Sequence, residues 1–143
     1  MTQGHAGFTL PVRVYYEDTD AGGVVYHANY LRFMERARTE WLRSLGFDQE
    51  QLRSQDHVVF VVARTDVQYR GPARLDDELM VTVNLEDQGR AGLKLTQRIL
   101  KDDELLIHGS VKVACVDTRH WRPALIPRAI RDALSNPELH YNL

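Results

Sequence analysis

Apolar and polar positions alternate near the start of the chain. Val12, Val14 and Tyr16 fall on one side of residues 10–17, and Arg13, Tyr15 and Glu17 on the other. A period of two predicts a strand there. Asp18-Thr19-Asp20-Ala21-Gly22-Gly23 then interrupts the pattern with turn formers, and its glycines admit backbone angles that other residues resist. Beyond the turn the period becomes helical. Tyr30, Leu31, Phe33, Met34, Ala37, Trp41, Leu42 and Leu45 form one stripe, with Arg32, Glu35, Arg36, Arg38 and Glu40 opposite. Asn29 is the expected N-cap and Gly46 the expected residue just past the end. The stripe runs about four and a half turns. It is broad, as suits a helix covered by a sheet.

The remainder reads mainly as strands. Val58 to Ala63 is a continuous apolar run, after which Thr65, Val67 and Tyr69 alternate with polar neighbours up to Gly71-Pro72. Leu79, Val81, Val83 and Leu85 define the next strand, and Gly89 and Gly92 flank a turn. Leu93, Leu95 and Ile99 share a face of the following strand. Asp102-Asp103 turns the chain into Leu105 to Val116, with Leu105, Ile107, Val111 and Val113 on one side. A short helix is expected over Pro127–Leu134, stopped by Pro137. A strand, a long helix and about four more strands bury their apolar faces most simply as an antiparallel sheet laid over the helix. Such a sheet has open edges, which favour edge-to-edge dimers.

The chain has 143 residues, the size of one domain, so 1–143 is read as a single unit. Charged residues make up 27% and apolar ones 43%, and the formal net charge is -2. That balance argues for an ordinary globular protein and against a nucleic-acid binder. The single cysteine, Cys115, cannot pair within the chain and fits a reducing, cytoplasmic compartment. Met1 to Pro11 lacks the pattern of a secretory leader, and no apolar run is long enough to span a bilayer. The six histidines show no ligand spacing, so no metal and no resident cofactor are expected.

The chemistry concentrates in residues 16–30. Carboxylates at the end of a strand precede a glycine turn and a helix start. The first N–H groups of a helix lack internal partners and carry partial positive charge, so they can hold an oxyanion. A nearby carboxylate, Asp18 or Asp20, can act as nucleophile or general base. That pair suffices for a thioester, whose thiol leaving group has a pKa near about 8.5 and departs as thiolate. The bland alternative is that both aspartates merely order the turn.

The segment from Val12 to Tyr30, followed by Glu35-Arg36-Ala37-Arg38-Thr39-Glu40, resembles the Tol-Pal-associated acyl-CoA thioesterases (YbgC type). These lie in the 4-hydroxybenzoyl-CoA thioesterase branch of the hotdog superfamily. The match continues through Tyr69-Arg70-Gly71-Pro72-Ala73-Arg74-Leu75-Asp76-Asp77, Thr96-Gln97-Arg98-Ile99 and Val113-Ala114-Cys115-Val116-Asp117. The resemblance implies an α+β hotdog fold, an antiparallel sheet of about five strands wrapped around a long central helix. It implies hydrolysis of an acyl-CoA to free acid and CoA. Asp20 matches the catalytic carboxylate, Tyr16 and His27 match other active-site positions, and the His27 N–H matches the group that polarises the carbonyl. Gly23, Val25 and Asn29 lie within the same motif as substrate-contacting candidates. Family members form homodimers or homotetramers with the site at the subunit interface.

Coenzyme A carries phosphates, which makes Arg90, Lys94 and Arg122 candidates for its rim, with Trp121 available for stacking. Glu35 is a further catalytic candidate, because other hotdog branches place a glutamate on the central helix. The ordinary reading of Glu35 and Glu40 is ion pairing with Arg38 and Arg36. Two rival functions stand beside hydrolysis. One is a module that binds acyl carrier protein or a membrane complex; the other is a hydratase or dehydratase of the same fold.

Overall fold

The computed structural model describes residues 7–135. Its elements are β1 (Phe8–Arg13), α1 (His27–Ser44), α2 (Gln49–Gln51), β2 (Val58–Tyr69), β3 (Glu78–Gln88), β4 (Gly92–Lys101), β5 (Glu104–Asp117), β6 (Arg122–Pro123) and α3 (Arg128–Leu134). The strands form one antiparallel sheet in the order β1-β3-β4-β5-β2, with the short β6 beside β5. β1 and β2 thus occupy opposite edges, while α1 connects them in sequence. The helix must cross a face of the sheet to join the two edges, and the sheet curls around it. This is the expected hotdog arrangement.

The alternating positions meet the helix as the pattern requires. Leu79, Val81, Leu95, Ile99, Ile107 and Val111 are buried against Tyr30, Phe33, Met34, Ala37 and Trp41. Each large side chain buried in this way contributes about 1.5–3 kcal/mol of transfer free energy. Gly109 lets the helix come close, since a Cβ there would stand 2.8 Å from Met34 Cε. Beside it the fully buried Gln97 donates from Nε2 to Met34 O (3.0 Å) and Thr82 O (3.2 Å), and its Oε1 accepts Arg38 Nη1 (2.9 Å). One amide thereby ties helix to sheet and leaves no polar group of its own unpaired.

Several boundaries differ from the sequence expectations. The first strand covers 8–13 rather than 10–17. After it Tyr16–Asp18 forms a 3₁₀ turn, because Asp18 Oδ2 accepts the Tyr15 N–H at 2.8 Å and the Asp18 N–H goes to Tyr15 O. The long helix begins at His27, and its N-cap position is Tyr26. Asn29 is already inside it, with Nδ2 donating to Asp18 O at 3.0 Å. The two apolar segments between 58 and 69 form one strand with a bulge at Ala63. In β5 it is Leu106 that is buried and Leu105 only half-buried, because the β4–β5 register shifts after Ile99. Arg38 turns inward to Gln97, and Glu40 pairs with Arg43 instead of Arg36. Pro137 lies outside the described residues.

The helix stop conforms closely. Gly46 has φ +96°, its N–H donates to Arg43 O, and the Phe47 N–H donates to Leu42 O. These are the paired bonds of a Schellman cap. Gly92 has a different reason to be glycine: a Cβ there would stand 2.8 Å from the carbonyl oxygen of Val113. Gly92→Ala is therefore expected to lower stability by about 1–3 kcal/mol, read as a lower urea midpoint at unchanged slope.

Candidate active site

The turn that carries Asp20 is a small hairpin clamped to the helix start. Thr19 and Val25 face one another, the Asp20 N–H donates to Val24 O (2.9 Å), and the Gly23 N–H donates to Asp20 O (3.0 Å). Asp20 Oδ1 accepts the Gly22 N–H at 2.8 Å, an Asx turn that folds the carboxylate over the loop. Gly23 sits at φ +80°, and a Cβ there would meet no atom of the described residues within 4 Å, so these residues leave the space above the loop open. Tyr26 donates its N–H to Asp18 O, the same oxygen that takes Asn29 Nδ2. The aspartate-bearing loop is thus locked to the first turn of α1.

That first turn is uncapped. Tyr26 supplies no side-chain acceptor, and the first turn contains no acidic residue. The Asn29 N–H goes to Tyr26 O. Among the described residues the N–H groups of His27 and Ala28 have no acceptor. They remain available to a developing negative charge.

Tyr16, Thr19, Asp20, Ala21, Gly23 and Leu75 line one shallow depression. Tyr16 is 82% exposed, so its ring forms a rim rather than core. His27 is exposed too; its ring lies 4.5 Å from that of Tyr26 and makes no hydrogen bond to Asp20. Its carbonyl accepts Tyr69 Oη at 3.3 Å. Val25 and Asn29 are buried, with the Val25 N–H donating to Ala73 O at 2.9 Å. These two residues support the loop from below. Sequence reasoning passed over Tyr30, Tyr69 and Ala73, which frame it from behind.

The remaining candidates are not brought together with Asp20. Tyr69, at the end of β2, lies at the Asp20 end of the sheet. Val58, at the other end of β2, pairs with Asp117, and Arg122 pairs with that same residue. Arg90 adjoins this far end, since its carbonyl accepts the Ile126 N–H. The twelve residues of β2 put roughly 35 Å between the two ends. Lys94 points to the outer face and pairs with Glu86 at 3.4 Å. Glu35 lines a separate groove between α1 and β2, with Arg38, Phe60 and Val62. Burial lowers the pKa of Arg38, opposed by the charge of Glu35. Cys115 is a buried hydrophobe whose thiol burial pushes up to about 11, out of the nucleophilic range.

Residues 14–134 match the model of the thioesterase-like superfamily. This chain belongs to that superfamily. Within it, the chain is a member of the YbgC acyl-CoA thioesterases. It is 47% identical to acyl-CoA thioesterase YbgC of Haemophilus influenzae, over 89% of this chain and 93% of the relative. It is 48% identical to acyl-CoA thioester hydrolase YbgC of Escherichia coli, over 86% of this chain and 92% of the relative. Among solved structures, a probable thioesterase from Bartonella henselae superimposes with a TM-score of 0.81 at 33% identity, covering 85% of this chain and 99% of that one.

Proposed function

We propose that this YbgC-family chain hydrolyses an acyl-CoA thioester to the free acid and CoA. Asp20 attacks the thioester carbonyl or activates a water for that attack. The N–H groups of His27 and Ala28 hold the oxygen as it gains charge, and the thiolate leaves without a strong general acid. The observation that carries this reading is the clamp between the Asp20 hairpin and an uncapped helix start. Tyr16 and Leu75 form an apolar rim beside the carboxylate, and the open space over Gly23 admits the reacting group.

A second copy of the chain completes this site. Among the described residues, β2 has a strand neighbour on one side only. Val62 and Tyr69 are exposed along it, and the groove beside it carries both Glu35 and the inward-turned Arg38. Such an edge favours pairing with its own copy about a two-fold axis. Antiparallel β2–β2 pairing carries Arg90 and Arg122 of the partner subunit from the far end of its sheet toward this Asp20. CoA phosphates would then be held across the interface, the protein working as a homodimer or a dimer of dimers in the cytoplasm.

The test is thiol release from a panel of acyl-CoAs of graded chain length, with an enoyl-CoA included. Turnover of at least one saturated acyl-CoA is expected. Hydration of the enoyl-CoA without thiol release would assign the fold to the hydratase class instead. Binding of acyl carrier protein without any turnover would make it a binding module.

A further inference from the structure

One buried hydroxyl at the start of α1 has no place in the chemistry above. Tyr30 is 3% exposed, and its Oη accepts the Ala73 N–H at 2.9 Å. Ala73 uses its carbonyl to accept the Val25 N–H, also at 2.9 Å, and the neighbouring Arg74 bridges to Val24. Val24 O in turn accepts the Asp20 N–H. A side chain on the helix is thereby linked through two short backbone steps to the hairpin that carries Asp20.

The strap containing Ala73 is anchored at its other end as well. Asp77 Oδ2 accepts the Arg74 N–H at 2.8 Å, while its Oδ1 pairs with Lys101 at 3.1 Å. Arg13 Nη1 donates to Asp76 O at 2.7 Å. On the opposite side the Tyr30 ring packs edge-on against Tyr69 at 5.8 Å, the residue whose hydroxyl donates to His27 O. Tyr30 therefore touches both supports of the site: the strap behind the Asp20 hairpin and the ring beside the helix start.

We infer that Tyr30 is a positioning residue, whose hydroxyl, acting through Ala73 and Val25, sets the separation between the Asp20 carboxylate and the first N–H groups of α1. This rests on the proposed hydrolysis at Asp20. A buried N–H must be satisfied, so removing the Tyr30 oxygen leaves the Ala73 donor to find water or move. Either response loosens the strap and shifts the hairpin. Displacement of a reacting group by about 1 Å costs on the order of 100-fold in rate. Burial raises the pKa of the Tyr30 hydroxyl; the Ala73 hydrogen bond lowers it, and the charges of Tyr69, Asp77 and Asp20 raise it further. The group stays neutral through the working pH range, so its contribution is geometric.

The experiment is Tyr30→Phe, which keeps the ring and removes only the oxygen. The comparison is Ile130→Val, a core change in α3 that makes no hydrogen bond or ring contact with Tyr30 or the hairpin. Tyr30→Phe is expected to lower kcat on an acyl-CoA by about 10- to 100-fold with KM nearly unchanged. Ile130→Val should keep kcat at an equal or larger loss of Tm. Hydrogen exchange at the Ala73 and Val25 amides should quicken in the first variant only. Wild-type kcat in Tyr30→Phe overturns the inference, as does an equal kcat loss in Ile130→Val at matched Tm. Asp20→Asn in parallel separates the two levels. If it is inactive while Tyr30→Phe turns over normally, only the positioning role fails; if it turns over normally, the hydrolysis reading fails and takes this one with it.

Discussion

Asp20→Asn is expected to lower kcat by about 10²- to 10⁴-fold, the range for losing a positioned base or nucleophile, while leaving the fold intact. The second half of that expectation follows from local geometry. Asp20 Oδ1 accepts the Gly22 N–H, and an asparagine side-chain oxygen in the same place accepts it equally well. The Asp20 backbone bonds, N–H to Val24 O and carbonyl to the Gly23 N–H, do not involve the side chain at all. A large fall in kcat at unchanged Tm would therefore isolate the chemistry from the structure. Turnover near the wild-type level would remove Asp20 from the reaction. Single-turnover hydrolysis in isotopically labelled water then separates the two mechanisms. A covalent anhydride places label in the protein, and general-base attack by water does not.

The second large effect concerns the far end of the sheet. Replacing Arg90 and Arg122 together by glutamate is expected to raise KM for acyl-CoA by about 10- to 100-fold, the loss of one or two charge-assisted contacts, with kcat little changed. Within one chain these arginines stand a full strand length from Asp20, so the proposed contact with CoA requires them to act at the site of a second copy. Hybrid assembly tests that directly. When the Arg90→Glu/Arg122→Glu chain is refolded with the Asp20→Asn chain, each hybrid dimer holds one site with wild-type groups from both contributors. Low-KM activity should recover to about a quarter of wild type after random pairing of an isologous dimer. No recovery on mixing would place the phosphate contacts elsewhere. Unchanged KM in the double charge reversal would remove these arginines from CoA recognition altogether.

Much of the architecture was readable in the residue pattern, because burial enforces periodicity. Leu79, Val81 and Val83 alternate with polar neighbours, and Phe33, Met34, Ala37 and Trp41 recur at helical spacing. A sheet face and a helix stripe are the surfaces that such spacings create. Gly46 was legible as a helix stop for a similar reason, since its backbone angle excludes most other residues. The candidate segment for chemistry stood out as carboxylates, glycines and a helix start in sequence order. Polar contacts over long distances carry no such signature. Nothing in the periodicity says that Asn29 holds Asp18 O rather than capping the helix, or that Arg38 turns inward to Gln97.

The sequence by itself determined a helix-and-sheet arrangement and the location of its turns, and it marked the stretch from Tyr16 to Tyr30 as the candidate for chemistry. Hydrophobic spacing and local turn preferences act between near neighbours, and both are written along the chain. Only the tertiary structure decided that Ala73 and Tyr30 stand behind the Asp20 hairpin and that Arg90 and Arg122 lie at the far end of the sheet. Those relations join residues up to about a hundred positions apart, and strand order and register, not local preference, bring such residues together or keep them apart.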